Sequence, residues 1–171
     1  DSDDSLTNQL LIAMPGMEDP NFRTTVTLIC EHNDNGALGI IINRPLNLKL
    51  SGIFDQLAVE DADPYAADSP VMAGGPVGTE RGFVLHGNEH SFENTLAVSN
   101  DIQLTLSRDI IDAMATGTGP DRSLVAIGYA GWEPGQLEEE MLANSWLNVT
   151  ATPELIFDTP FEQRWDSAAR L

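Results

Sequence analysis

The stretch from Cys30 to Pro45 constrains the fold of this chain more than any other. It reads CEHNDNGALGIIINRP. Asn35-Gly36 is a strong turn dipeptide, because both residues tolerate positive φ. The residues before it, Arg23–Cys30, are rich in β-branched side chains, and Ala37–Asn43 after it has the apolar character of a largely buried strand. The stretch therefore predicts a β-hairpin.

The remaining pattern mixes strands with short helices. Further strands are predicted at Val71–Ala73, Gly82–Leu85, Thr95–Val98, Ile102–Thr105, Leu124–Tyr129 and Leu147–Thr150. Helices are predicted at Ser51–Val59, Arg108–Thr116 and Pro134–Ala143, with a capping box at Thr159-Pro160-Phe161-Glu162 opening a last one. Glu60–Pro70 is an acidic loop. Because no regular βαβ alternation is present, the α+β class is favoured, in one domain.

The charge of the chain limits its partners. It carries 27 acidic residues against eight lysines and arginines, a formal net charge of −19. The basic residues never cluster, whereas non-specific nucleic-acid binding draws on several Lys or Arg contacts with phosphates. Direct nucleic-acid binding is therefore disfavoured. The acidity is explained either by solubility or by a basic protein partner.

The beginning of the chain has the character of neither a secretory signal nor a membrane anchor. It is acidic, and its apolar run Leu10–Met14 is short, whereas a signal core needs about 7–15 apolar residues and a membrane span about 20. Cys30 is the only cysteine, so no internal disulfide can form, which suits a reducing compartment. We expect a cytoplasmic protein that does not enter a membrane.

Cys30 and His32 are the residues with the most catalytic character. They are two apart in a predicted strand and are expected to share a face, and a neighbouring histidine can make a thiol nucleophilic. Cys30 also continues the face of Val26 and Leu28, where a thiol is an inert hydrophobic group. We favour the buried position. A thiol-redox or small-molecule site using Cys30 and His32 is the alternative.

Three other patterns suggest sites but have simpler explanations. His86-Gly87-Asn88-Glu89-His90 matches the H-x-x-E-H sequence of some zinc peptidases, which requires a helix that Gly87-Asn88 disfavours. Gly74-Gly75-Pro76 favours a tight turn over a phosphate loop, since Pro76 lacks a backbone donor. Glu138–Glu140 are expected to form a solvated helix face. No metal or cofactor site is predicted.

Arg44 is the best candidate for binding an anion. It follows the second strand of the predicted hairpin, in Asn43-Arg44-Pro45, and is isolated in a very acidic chain. We favour a structural ion pair with one of the many carboxylates and keep anion binding as the alternative.

Many glycine, proline and tryptophan positions make the chain resemble the YqgE/AlgH family of bacterial proteins. The matching segments are Leu10-Leu11-Ile12-Ala13-Met14-Pro15, Cys30 with His32, Asn43-Arg44-Pro45, Gly74-Gly75-Pro76-Val77, Arg81-Gly82-Phe83-Val84-Leu85-His86, Gly128-Tyr129-Ala130-Gly131-Trp132, Phe157-Asp158-Thr159-Pro160 and Arg164-Trp165.

The resemblance implies an α+β fold in which a mixed, largely antiparallel sheet curls into a small barrel flanked by helices, over residues 1–171. Members usually continue past the last helix with a Gly-Ile-Asp-type tail, which is expected to be missing here. The resemblance supplies no established catalytic residue, and the AlgH name refers to a proposed regulatory role in alginate synthesis. We favour a non-enzymatic regulatory or protein-binding module. A transcriptional regulator is a further alternative, which the net charge opposes.

Overall fold

A computed structural model describes residues 6–14, 24–87, 92–99, 101–120, 122–143, 145–159 and 163–169. Within this part of the chain, one sheet is formed by β1 (Gln9–Ala13), β2 (Val26–Asn33), β3 (Gly36–Ile41), β4 (Pro45–Lys49), β5 (Pro70–Ala73), β6 (Val77–His86), β7 (Thr95–Ala97), β8 (Gln103–Thr105), β9 (Ser123–Trp132) and β10 (Trp146–Thr150). The helices are α1 (Leu50–Gln56), α2 (Pro64–Ala67), α3 (Arg108–Ala115), α4 (Gln136–Leu142) and α5 (Arg164–Ala169), with a π-helical turn at Glu154–Asp158.

The sheet follows the order β10-β1-β2-β3-β9-β6-β8-β7. All neighbours in this order are antiparallel. β5 joins β9 in parallel and carries β4 on its other side. β9 therefore lies at the centre of the sheet, where it pairs with β3, β5 and β6. The sheet curls into a half-barrel flanked by short helices, which confirms the predicted α+β class.

Apolar side chains form clusters on both faces of this sheet. The first includes Leu28 of β2. The second packs α1 and α3 through Phe54 and Ile110. The third joins Ile29 of β2 to Leu137 of α4. Because Leu28 and Ile29 are neighbours on one strand but belong to different clusters, both faces of β2 are covered.

The predicted hairpin is present, with its turn shifted by one residue. Asn33 pairs with Gly36, so the loop residues are Asp34 and Asn35. The Asn33 side-chain oxygen accepts a hydrogen bond from the Asn35 backbone N–H at 2.8 Å. Gly36 has a φ of 124°, and a Cβ there would overlap the carbonyl oxygen of Trp132. Glycine is thus required at the start of β3 to let β9 approach closely.

Two short elements differ from the sequence prediction. β4 begins at Pro45, immediately after the hairpin. The acidic segment predicted as a loop contains α2, in which Pro64 is the first residue and Asp63 accepts a hydrogen bond from the Ala66 backbone N–H at 3.0 Å. These contacts are the standard start of a helix. Most of the predicted capping box, residues 160–162, lies outside the described residues.

Membrane crossing by a helix is not supported by the described segments. None of the helices in these segments combines the length and the apolar character that a bilayer span requires.

Candidate functional site

Cys30 lies in the core of the protein. Its side chain belongs to the first cluster and is 1% exposed, with Sγ 3.7 Å from the carbonyl oxygen of Leu28. Burial, with a smaller contribution from the charge of Glu31, raises the pKa of the Cys30 thiol far above its ordinary value. Because the thiolate is the reactive form, this environment opposes nucleophilic chemistry at neutral pH.

A β-bulge separates Cys30 from His32. The pairing of β2 with β3 shifts between Ile29 and Glu31, so Cys30 is the extra residue. His32 then stands opposite Ala37, which packs against the third cluster, whereas Cys30 belongs to the first. The expectation that Cys30 and His32 share a face is therefore wrong, because one inserted residue exchanges the two faces of a strand.

His32 connects the sheet to two neighbouring segments. Its Nδ1 accepts a hydrogen bond from the Leu6 backbone N–H at 2.8 Å, and its Nε2 lies 3.3 Å from Oε2 of Glu138 in α4. Since Nδ1 is an acceptor, Nε2 carries the proton that faces Glu138. The side chain is 4% exposed. These contacts give His32 a positioning role in the fold.

Glu140 joins two tryptophans beneath α4. Its Oε1 accepts hydrogen bonds from Nε1 of Trp132 at 3.0 Å and from Nε1 of Trp146 at 2.9 Å. The two rings pack edge to face, with centroids 6.3 Å apart. Glu138 and Glu139 are exposed, as the sequence predicts, whereas the expected solvation is wrong for Glu140, which is half-buried. These aromatic rings belong to a packed interface within the chain.

Arg44 lies at the other end of the hairpin from His32. It follows the end of β3, and its carbonyl oxygen accepts a hydrogen bond from the Ala73 backbone N–H at 2.6 Å. His32 instead pairs with Ala37, close to the turn of the hairpin. The length of the hairpin therefore keeps these two residues apart, and neither lines the grooves described below. The half-buried Arg44 stays a candidate for anion binding.

His86 is the last residue of a strand, not part of a helix. It is fully buried, with Nε2 2.6 Å from Oγ1 of Thr105 and Nδ1 2.6 Å from the carbonyl oxygen of Gly87. The rest of the H-x-x-E-H pattern, residues 88–90, lies outside the described residues. Among those that are described, no three His, Cys, Asp or Glu side chains are grouped so that they could hold a metal ion.

An open apolar groove lies between α1, α3 and the sheet, and we name it the α1–α3 groove. Its volume is about 270 Å³, near the lower limit of roughly 300 Å³ for typical small-molecule pockets. Leu106, 39% exposed, lines it just before α3. The apolar lining consists of Ile53, Leu57, Phe83, Val84, Leu106, Ile110, Ile111, Val125 and Ile127. Sequence patterns do not reveal the groove, because these residues come from separate segments.

Arg108 is the charged residue that lines the α1–α3 groove. It begins α3 and donates from Nη2 to the carbonyl oxygen of Leu57 at 3.2 Å, just after the end of α1. Its Nε lies 3.4 Å from Oδ1 of Asp112. The guanidinium thus connects the two helices that form the walls, and within the described segments no carboxylate lines the groove.

The carboxylate of Asp109, the residue after Arg108, accepts hydrogen bonds from groups other than Arg108. The Ser107 hydroxyl donates to its Oδ1 at 2.5 Å, and the Glu93 backbone N–H donates to its Oδ2 at 2.8 Å. Desolvation alone would raise the pKa of Asp109, but these hydrogen bonds to the charged form outweigh it and lower the pKa below its ordinary value. Ser107, the residue before α3, therefore binds Asp109 and not the helix backbone.

A second recess of about 290 Å³ adjoins the α1–α3 groove. The two share Gly82, Phe83 and Leu106, and Arg81 and Asn94 complete the lining of the second. Arg81 is exposed and makes no ion pair within the described part of the chain. A guanidinium therefore lies beside each of two connected recesses.

Fold and groove together define a small α+β protein with a curled, largely antiparallel sheet and an open apolar groove below two helices. The family model described as AlgH-like (DUF179) matches residues 10–171. The chain therefore belongs to the AlgH-like family, which confirms the resemblance drawn from its sequence.

Relatives of similar length support this membership. A UPF0301 protein of Saccharophagus degradans is 53% identical over 166 residues, which cover 97% of this chain and 81% of the relative. One from Nitrosococcus oceani is 50% identical over 164 residues, covering 96% and 88%.

Solved structures show the same fold. The solution structure of the AlgH protein from Pseudomonas aeruginosa matches with a TM-score of 0.85 and 44% identity, covering 99% of this chain and 90% of that protein. A crystal structure from Corynebacterium diphtheriae matches with a TM-score of 0.75, over 96% of this chain and 86% of that one. At 20% identity, the second match speaks for the fold alone.

Proposed function

We propose that this protein is a non-enzymatic binding module that holds an apolar segment of a partner protein in the α1–α3 groove. The observation that carries the proposal is the lining of that groove. It consists mainly of apolar side chains and, among the residues that the structure describes, includes no histidine, cysteine or carboxylate. Such a surface has few means of acid–base or thiol catalysis, but it can bury apolar surface of another molecule.

The shape of the groove favours a protein segment as its occupant. The groove is open and small, so it suits apolar side chains that project from a partner, as in recognition of a helix by a groove. Most of its lining side chains are apolar, and Gln56, Ser107 and Arg108 are among the polar ones. A mainly apolar surface with a few polar groups is typical of the core of a protein interface.

Two other hypotheses receive less support. A thiol-redox site would need a reactive Cys30, which is buried with a raised pKa and faces away from His32. A transcriptional regulator that contacts DNA directly would have to overcome a net charge of −19. We therefore place any regulatory role in protein contacts made through the α1–α3 groove.

Leu106→Asp is expected to abolish binding of the partner. The substitution removes the apolar side chain against which the partner packs and introduces a carboxylate that costs free energy to desolvate. The measurement is capture by the immobilised protein from a lysate of the cells that produce it, quantified by mass spectrometry for wild type and variant.

Leu142→Asp is the matched control. Leu142 is 85% exposed at the end of α4, outside the α1–α3 groove, so this variant should capture the same partner as wild type. Because both positions are exposed to solvent, each variant should unfold within about 1 kcal/mol of wild type. Retention of the partner by Leu106→Asp, equal loss in both variants, or no specific capture by wild type would each contradict the proposal.

A further inference from the structure

The charged residues that line the α1–α3 groove and its adjoining recess are positive, whereas the whole chain is strongly negative. The sequence has 27 acidic residues and eight lysines and arginines. Arg108 lines the groove, Arg81 lines the adjoining recess, and no carboxylate among the described side chains lines either one. Two of the eight basic residues are thus beside one connected apolar surface, in a chain where acids outnumber bases more than threefold.

We propose that the segment held in this groove carries a carboxylate beside its apolar side chains, and that Arg81 and Arg108 bind that carboxylate. This inference rests on the proposed function. Arginine suits this task because its planar, permanently charged guanidinium can pair with a carboxylate through two parallel hydrogen bonds. Apolar side chains of the segment occupy the groove, and the carboxylate fixes their position along it.

Arg108 has the capacity to bind such a group. Its side chain is 56% exposed, and its ion pair with Asp112 is long and lies in solvent, so this pair contributes little and is easily exchanged. The hydrogen bond to the Leu57 carbonyl uses one of the five guanidinium donors and keeps the head beside the groove. A carboxylate in the groove can therefore replace or share the contact with Asp112.

A second acid of α3, Asp109, is already engaged by other donors. The carboxylate of Asp109 accepts hydrogen bonds from the Ser107 hydroxyl and the Glu93 backbone N–H. Arg81, on the other side of Leu106 in the adjoining recess, makes no ion pair with any residue that the structure describes. An incoming anion therefore meets guanidinium groups that have weak partners or none among these residues.

A matched pair of fluorescent probes separates the apolar contribution from the ionic one. Anilinonaphthalene sulfonate carries an anionic group on an aromatic skeleton, and N-phenylnaphthylamine has the same skeleton without the charge. The sulfonate stands in for the carboxylate of the segment. We expect wild type to bind the anionic probe about tenfold more tightly than the neutral probe. Added salt should reduce this preference, since the contacts lie in solvent.

Arginine variants test which residues cause the preference for the anionic probe. Arg81→Gln and Arg108→Gln are each expected to reduce it about threefold, and the double variant to abolish it, with the affinity for the neutral probe unchanged. Arg108→Lys keeps the charge but not the two parallel donors, so it should retain only part of the preference. Arg122→Gln is the matched control, because Arg122 pairs with Glu154 and Asp158 and does not line the groove.

The outcomes distinguish this inference from the proposed function. Equal affinity of wild type for the two probes, or a preference that survives the double variant, overturns the role of the arginines. If Leu106→Asp still weakens both probes in that case, the groove itself stands. If wild type binds neither probe, or if Leu106→Asp weakens neither, the apolar groove is contradicted and the inference fails with it.

Discussion

Gly75→Ala is expected to destabilise the protein by about 3 kcal/mol or more. Gly75 lies in the turn between β5 and β6, and a Cβ at this position would overlap the backbone of Tyr129 and Ala130 in β9. Because β9 pairs with three other strands, its backbone cannot move aside without disturbing the centre of the sheet. The free energy of unfolding in urea, followed by circular dichroism, measures the effect.

Gly82→Ala is the control for this substitution. Gly82 lies in β6 of the same sheet, has no atom within 4 Å of an added Cβ, and has no positive φ. Alanine there should change the unfolding free energy by no more than about 1 kcal/mol, partly through reduced freedom of the unfolded chain. Equal stability of the two variants would mean that the turn between β5 and β6 does not approach β9 as closely as described.

The thiol of Cys30 is expected to react with iodoacetamide at least about a thousandfold more slowly in the folded protein than in urea. The side chain is buried in an interior strand between β1 and β3. Exposing it therefore requires an opening that costs about 5 kcal/mol or more. Mass spectrometry of samples quenched at increasing times gives the rate, and Cys30 is the only cysteine that can report.

An exposed thiol in the same protein calibrates this rate. Asp34 lies in the exposed hairpin turn, so the variant with Cys30→Ala and Asp34→Cys should be labelled as rapidly when folded as in urea. Rapid labelling of native Cys30 would contradict its placement in the core and support the alternative thiol-redox hypothesis.

The sequence predicts the elements of the fold better than their relation to one another. Asn35-Gly36 with apolar strands on both sides is a local signal, and the hairpin forms as expected. The bulge at Cys30 is not a local signal, because the register shift depends on how β3 pairs with β2. Strand alternation alone therefore placed His32 on the wrong face.

The contacts of side chains across the sequence are still less predictable. Glu140 reads as one of three consecutive solvated carboxylates, but folding brings the indole N–H groups of Trp132 and Trp146 to it. The α1–α3 groove has the same origin, since Ile53, Leu106 and Ile127 meet only after the sheet has curled. The isolation of an arginine in an acidic chain suggests anion binding at Arg44. The same pattern does not single out Arg81 and Arg108, the arginines of the proposed site.

Photo-cross-linking from the α1–α3 groove tests the central claim most directly. A photoreactive amino acid is placed at Leu106, and separately at Leu142 as the control outside the groove. Both proteins are irradiated in the cells that produce the wild type, and adducts are identified by mass spectrometry. The account predicts one dominant protein adduct from position 106, through an apolar segment that contains a carboxylate, and none from position 142. The same adduct from position 142 but not from 106, or no protein adduct at 106, would contradict it.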